Sequence, residues 1–127
     1  MEQSAKTYDH VIIIDDSSED IEHLKKSLIS INYANHISCF VNPKIASKYI
    51  KNCRKFPEII FLNMPEMEGL EFIGSFIKGF NHLIKFIITS SSFNIMDLQK
   101  SSNCPNIIRI LPKPVKTADL KYWKELS

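Results

Sequence analysis

The chain has 127 residues, 44% of them hydrophobic and 24% charged, with a net charge of +2. This length predicts a single domain, expected at residues 8–126 after a tail at 1–7, with a core that needs no metal or disulfide. The weak positive charge argues against nucleic acid as a partner, and the lack of a signal peptide or membrane-spanning stretch predicts a cytoplasmic protein with no membrane partner.

The first strong signal is a run of four β-branched residues, Val11 to Ile14, followed by Asp15 and Asp16. Such a run suits a strand covered on both faces, as in a parallel sheet between two layers of helices. Ligands of these sheets bind at the carboxyl ends of the strands, where the two acids fall. Two carboxylates about 4 Å apart repel by roughly 4 kcal/mol at an effective dielectric near 20, which predicts a cation or a lysine close by.

Helices and strands are then predicted in alternation along the chain. Ser17 to Asp20 favour a helix start, and Asn42 followed by Pro43 favours another. Helices are expected at about 18–30, from Pro43 onward, and at about 70–77, 94–102 and 116–126. Further strands are expected at 36–41, 58–62, 85–90 and 107–111. Right-handed crossovers then give five parallel strands with helices on both faces.

The helix that begins at Pro43 has an apolar and a basic side. Its apolar side is expected to contain Ile45, Ala46, Tyr49, Ile50 and Cys53. Lys44, Lys48, Lys51 and Lys55 recur at helical spacing on another face. A solvated helix face is the favoured interpretation of these lysines, and a surface for an acidic partner is the alternative.

Polar residues stand at the carboxyl ends of the predicted strands and should meet at one edge of the sheet. They are Asp15, Asp16, Asn63, Thr89 and Lys113. Unrelated capping residues would share this placement only by coincidence. The arrangement therefore predicts a functional site at this edge.

Four segments stand at the ends of the predicted strands: IIIDDSSED at 12–20, PEIIFLNMPEMEG at 57–69, IITSS at 87–91 and ILPKP at 110–114. In this order they resemble the receiver domain of bacterial two-component response regulators. The resemblance implies a flavodoxin-like (βα)5 fold, a doubly wound parallel sheet with strand order 2-1-3-4-5. It also implies that Asp15 and Asp16 match acids that bind Mg²⁺, Thr89 a phosphate-binding hydroxyl and Lys113 its cation, with a cis bond before Pro114.

The phosphoacceptor aspartate of that family is missing from this chain. The family places two residues between the acceptor and Met-Pro, whereas here Asn63 directly precedes Met64 and Phe61 lies three residues before it. Either two residues are deleted and Asn63 stands at the acceptor position, which we favour because 57–63 matches the family strand, or Phe61 stands there. Neither offers a carboxylate, so we expect no acyl phosphate and weak Mg²⁺ binding at most.

The function expected from these features is that of a degenerate, stand-alone receiver, a binding module rather than an enzyme. Its partner would be a histidine kinase or another signalling protein. The alternative is a phosphorylatable receiver that accepts a phosphoryl group from a histidine kinase on a neighbouring side chain such as Glu66 or Asp16. In the degenerate receiver, Lys113 should form a charge-assisted pair with Asp15 or Asp16 that closes the site.

Overall fold

The computed structural model describes residues 7–64, 71–75, 84–90 and 105–120. The strands are β1 Tyr8–Asp15, β2 Ala34–Phe40, β3 Ile59–Asn63, β4 Lys85–Ser90 and β5 Ile107–Pro112, and the helices are α1 Ser18–Ser30 and α2 Pro43–Lys51. Residues 71–75 and 117–120 are also helical, within two of the predicted helices. The predicted helix at 94–102, and Glu66 in the loop after Met64, lie outside the described residues.

The strands form one parallel sheet in the order β2-β1-β3-β4-β5, which confirms the predicted flavodoxin-like topology. The register of β1 against β3 pairs Ile14 with Leu62 and Asp15 with Asn63. The last residues of these two central strands therefore lie side by side at the carboxyl edge of the sheet.

The core lies on both faces of the sheet, as the β-branched run of β1 predicts. Val11 and Ile13 pack on the side of α1, whereas Ile12 and Ile14 pack on the side of α2. All four side chains are at most 1% exposed. Full burial of such a side chain stabilises the fold by about 1.5–3 kcal/mol, so this strand is a main source of stability.

α1 begins directly after the polar end of β1. Ser17 is its N-cap, and the Ser17 hydroxyl accepts a hydrogen bond of 3.2 Å from the Asp20 N–H. The helix ends at a turn in which Asn32 has a φ of 53°, a left-handed conformation that Asn tolerates better than most residues. The short connection from Asp15 to Ser17 places the first turn of α1 at the carboxyl edge of the sheet.

α2 starts where the sequence predicts, with Asn42 as N-cap and Pro43 in its first turn. Its buried side is narrower than its apolar side, because Ala46 and Ile50 are buried whereas Ile45 is 57% and Tyr49 39% exposed. Ile45 and Tyr49 therefore belong to the apolar side but not to the core. β2 is one of the two edge strands, so the sheet ends below that side of α2.

Candidate functional site

Asp15 is the buried carboxylate at the centre of the carboxyl edge. It is the last residue of β1 and is 4% exposed. One carboxylate oxygen, Oδ1, accepts hydrogen bonds from the Ser17 N–H at 2.9 Å and from Asn63 Nδ2 at 3.2 Å. The other, Oδ2, lies 2.7 Å from Lys113 Nζ. The predicted pairing of Lys113 with one of the two acids is thus found at Asp15.

Lys113 reaches this carboxylate from the end of β5. Its N–H donates to the Ser90 carbonyl oxygen at 2.9 Å, and the bond from Lys113 to Pro114 is cis, as the family resemblance implies. Nζ also lies 2.7 Å from Asp20 Oδ2. Burial lowers the pKa of the Lys113 ammonium, but its hydrogen bonds to the two carboxylates and their charges outweigh burial and hold the pKa above its usual value.

Asp20 is a site residue whose sequence context indicates only a helix start. Ser17 and Asp20 have the spacing of a capping box, in which the second side chain normally accepts from the N–H of the cap residue. Here Asp15 takes the Ser17 N–H, and the Asp20 carboxylate binds Lys113 instead. This hydrogen bond lowers the pKa of Asp20. The capping-box spacing beside two strand-end acids is the signal that could have identified it.

Thr89 and Asp16 differ in how far they approach this cluster. Thr89 is 3% exposed and lines a pocket of about 250 Å³ together with Asp15, Asp20 and Lys113. Asp16 is exposed, and no hydrogen bond or ion pair joins its side chain to another described residue. Of the two adjacent acids, the structure therefore brings only Asp15 together with Lys113.

The structure distinguishes the two residues considered for the acceptor position. Phe61 is 1% exposed and belongs to the core, where its ring lies 5.8 Å from the ring of Tyr33. Asn63 ends β3 and donates its side-chain amide to Asp15. Asn63 is thus the one of the two whose side chain lies at the polar edge of the sheet.

The described residues at this edge do not fit a divalent cation in the arrangement seen. Mg²⁺ prefers oxygen ligands in near-octahedral geometry, several of them anionic. Both oxygens of Asp15 already accept from nitrogen donors, one of which is the Lys113 ammonium. Within the described residues, no group of three or more His, Cys, Asp or Glu side chains is placed to hold a metal ion.

Comparisons with known proteins identify the fold. No protein-family model matches the sequence, and no curated protein matches it. Among solved structures, a response regulator receiver protein from Dyadobacter fermentans is 24% identical, with 92% of this chain and 93% of that one covered and a TM-score of 0.78.

Two further structures agree with this result. A two-component response regulator from Cytophaga hutchinsonii is 19% identical, with 96% of this chain and 100% of that one covered and a TM-score of 0.80. A CheY-like receiver domain protein from Methanospirillum hungatei is 20% identical, with 94% and 93% covered and a TM-score of 0.75. The chain therefore has the fold of response regulator receiver domains. None of the helices in the described ranges combines the length and hydropathy needed to cross a membrane.

Proposed function

We propose that this chain is a degenerate receiver domain of a two-component phosphorelay. It acts as a binding module, and its partner is a histidine kinase or another signalling protein. Two features support the proposal: the fold is shared with solved receiver domains over more than nine-tenths of the chain, and the polar strand ends resemble the family's phosphoryl site in Asp15, Thr89 and Lys113.

The observation that carries the proposal is the position of Asn63. It ends β3 beside Asp15, at the carboxyl edge where the resemblance leads us to expect the acceptor. A neutral amide has no anionic oxygen to attack a phosphoryl group, so it forms no acyl phosphate. Its Nδ2 donates to Asp15, a hydrogen bond that an ionised aspartate at the same position has no proton to make.

The contacts of Lys113 favour a site that is ordered but does not accept a phosphoryl group. In a phosphorylatable receiver the ammonium would bind an oxygen of the incoming phosphoryl group. Here it lies 2.7 Å from a carboxylate oxygen of Asp15 and 2.7 Å from one of Asp20, so two anions already neutralise it. Charge-assisted bonds of this length are roughly twice as strong as neutral ones. We infer that these two bonds hold the site in one conformation. A partner binds the protein in this conformation without phosphorylation.

Mass spectrometry of the intact protein tests the proposal. The chain is incubated with a small phosphodonor and Mg²⁺, beside an ordinary receiver that shows the donor to be active. We expect no adduct with the mass of one phosphoryl group, because Asn63 is not a nucleophile. A stoichiometric, base-labile adduct would instead establish the alternative acceptor function, and peptide mapping would then distinguish Glu66 from Asp16.

A further inference from the structure

An exposed apolar strip runs along α2. Ile45 is 57% and Tyr49 39% exposed, and Val41, two residues before the helix, is 55% exposed. Ile45 and Tyr49 are four residues apart in one helix, so their side chains are neighbours on its surface. We call Val41, Ile45 and Tyr49 the α2 strip.

Tyr49 is the residue of the strip that is held in place by contacts to β2. The ring of Tyr49 lies 5.1 Å from the ring of Phe40, and the Tyr49 and Ser38 hydroxyls are 3.2 Å apart. Ser38 is also 2.9 Å from His10 Nε2. Tyr49, His10 and Ser38 line a groove of about 360 Å³ that continues from the strip over β2. A tyrosine ordered in this way presents apolar area to a partner at little cost in conformational entropy.

The segment that carries the strip is basic. Residues 41–55 contain five basic residues, Lys44, Lys48, Lys51, Arg54 and Lys55, and no acidic one. Lys44 and Lys48 are exposed, and no acidic side chain pairs with either of them in the part of the chain that the structure describes. Lys48 lies three residues after Ile45 in α2, a spacing at which side chains are neighbours on a helix. Charge and apolar area therefore occur on the same surface.

The combination of apolar area and positive charge indicates which kind of partner would bind the α2 strip. A second copy docked through the same surface would bring two basic faces together, which is unfavourable. Nucleic acid would match the lysines, but the net charge of +2 is small for such a binder. An acidic protein segment with apolar side chains matches both features.

We infer that the α2 strip binds an acidic segment of a partner protein. Apolar side chains of that segment pack on Ile45 and Tyr49, and its carboxylates face Lys44 and Lys48. The inference extends the proposed function by naming the chemistry of the partner. It does not involve Asn63 or Lys113. An experiment can therefore disprove the binding role of the α2 strip without disproving the inactive acceptor site, and the reverse.

The test uses a synthetic helical peptide with leucines on one face and glutamates on the other, titrated into the isotope-labelled protein and followed by NMR. Parallel titrations use a scrambled peptide of the same composition, a DNA duplex and vesicles of phosphatidylglycerol and phosphatidylcholine. Ile45→Ser and Lys48→Glu are compared with Ile29→Ser and Lys26→Glu, matched changes at exposed positions of α1.

We expect the amphipathic peptide to shift resonances of residues 41–49. Ile45→Ser and Lys48→Glu should each weaken its binding by about tenfold, and the α1 variants by less than about twofold. The inference would be overturned by no binding at millimolar peptide, by equal binding of the scrambled peptide, or by binding of DNA or vesicles without binding of the amphipathic peptide. Equal losses in the α1 variants would overturn it as well, because they would indicate a nonspecific charge effect.

Discussion

The two ends of β1 carry the same set of polar groups in different surroundings. At the amino end, Asp9 binds Lys55 at 2.9 Å and Asn35 at 3.4 Å. At the carboxyl end, Asp15 binds Lys113 at 2.7 Å and Asn63 at 3.2 Å.

Burial separates the two clusters more than distance does. The Asp9 and Lys55 side chains are 46% and 75% exposed, whereas those of Asp15 and Lys113 are 6% and 14% exposed. An exposed ion pair contributes little to stability because water solvates both partners in the unfolded and folded states. Removing one partner of a buried pair leaves a charge with neither water nor a counter-ion. The same residue types are therefore expected to contribute little to stability at the amino end of β1 and much more at its carboxyl end.

The largest contrast is expected from the two lysines. Lys113→Met should lower the free energy of unfolding by about 3 kcal/mol, since Asp15 then stays buried without a counter-ion. Lys55→Met is the matched control and should leave the urea unfolding midpoint nearly unchanged. Equal losses in the two variants would mean that burial does not distinguish the two clusters.

A smaller contrast is expected from the two asparagines. Asn63→Asp replaces an amide donor by a second carboxylate at Asp15, with Lys113 nearby to offset part of the repulsion. We expect a loss of about 2 kcal/mol in the free energy of unfolding at neutral pH. Asn35→Asp makes the same change at exposed Asp9 and should alter stability little. Urea unfolding of both variants measures the difference, and a neutral effect of Asn63→Asp would contradict the closed arrangement of the site.

The smallest effect is expected from Asp20, whose side chain is 47% exposed. Asp20→Asn should cost about 0.5 kcal/mol at neutral pH, because solvent screens this half of the bridge. The hydrogen bond from Lys113 lowers the pKa of Asp20 in the folded state. Its stabilisation is therefore complete above the ordinary carboxyl pKa of about 3.9 and is lost as pH falls through the lowered value.

The pH dependence checks this account of Asp20. The stability difference between the protein and Asp20→Asn should be constant near neutral pH and vanish in acid, as measured by urea unfolding at a series of pH values. A difference that grows as the pH falls would have the wrong sign for a lowered carboxyl pKa.

Local signals made much of the fold predictable. The β-branched run of β1 and the start of α2 at Asn42 and Pro43 are found where expected, because strand burial and helix capping depend on a few adjacent residues. The exposure of Ile45 and Tyr49 was not predictable in this way, since helical periodicity identifies an apolar face without indicating how far the neighbouring sheet extends beneath it.

The site residues that stand at the carboxyl ends of strands were predictable from the sequence. Parallel topology brings Asp15, Asn63 and Lys113 to one edge, and the structure places all three in contact through Asp15. The role of Asp20 depends on a lysine 93 residues away and on Asp15 taking the N–H of the cap residue. These are tertiary contacts, and the capping-box spacing is the one local sequence pattern that accompanies them.

The central claim is that the Lys113 ammonium, and not a metal ion, neutralises Asp15 at the carboxyl edge of the sheet. Denaturant unfolding of the protein and of Lys113→Met, each with and without millimolar Mg²⁺, tests it most directly. Mg²⁺ should leave the midpoint of the unaltered protein unchanged and raise that of Lys113→Met, because a cation that binds only the folded state stabilises it. A midpoint that rises with Mg²⁺ in the unaltered protein, or one that is insensitive to Mg²⁺ in Lys113→Met, would contradict the claim.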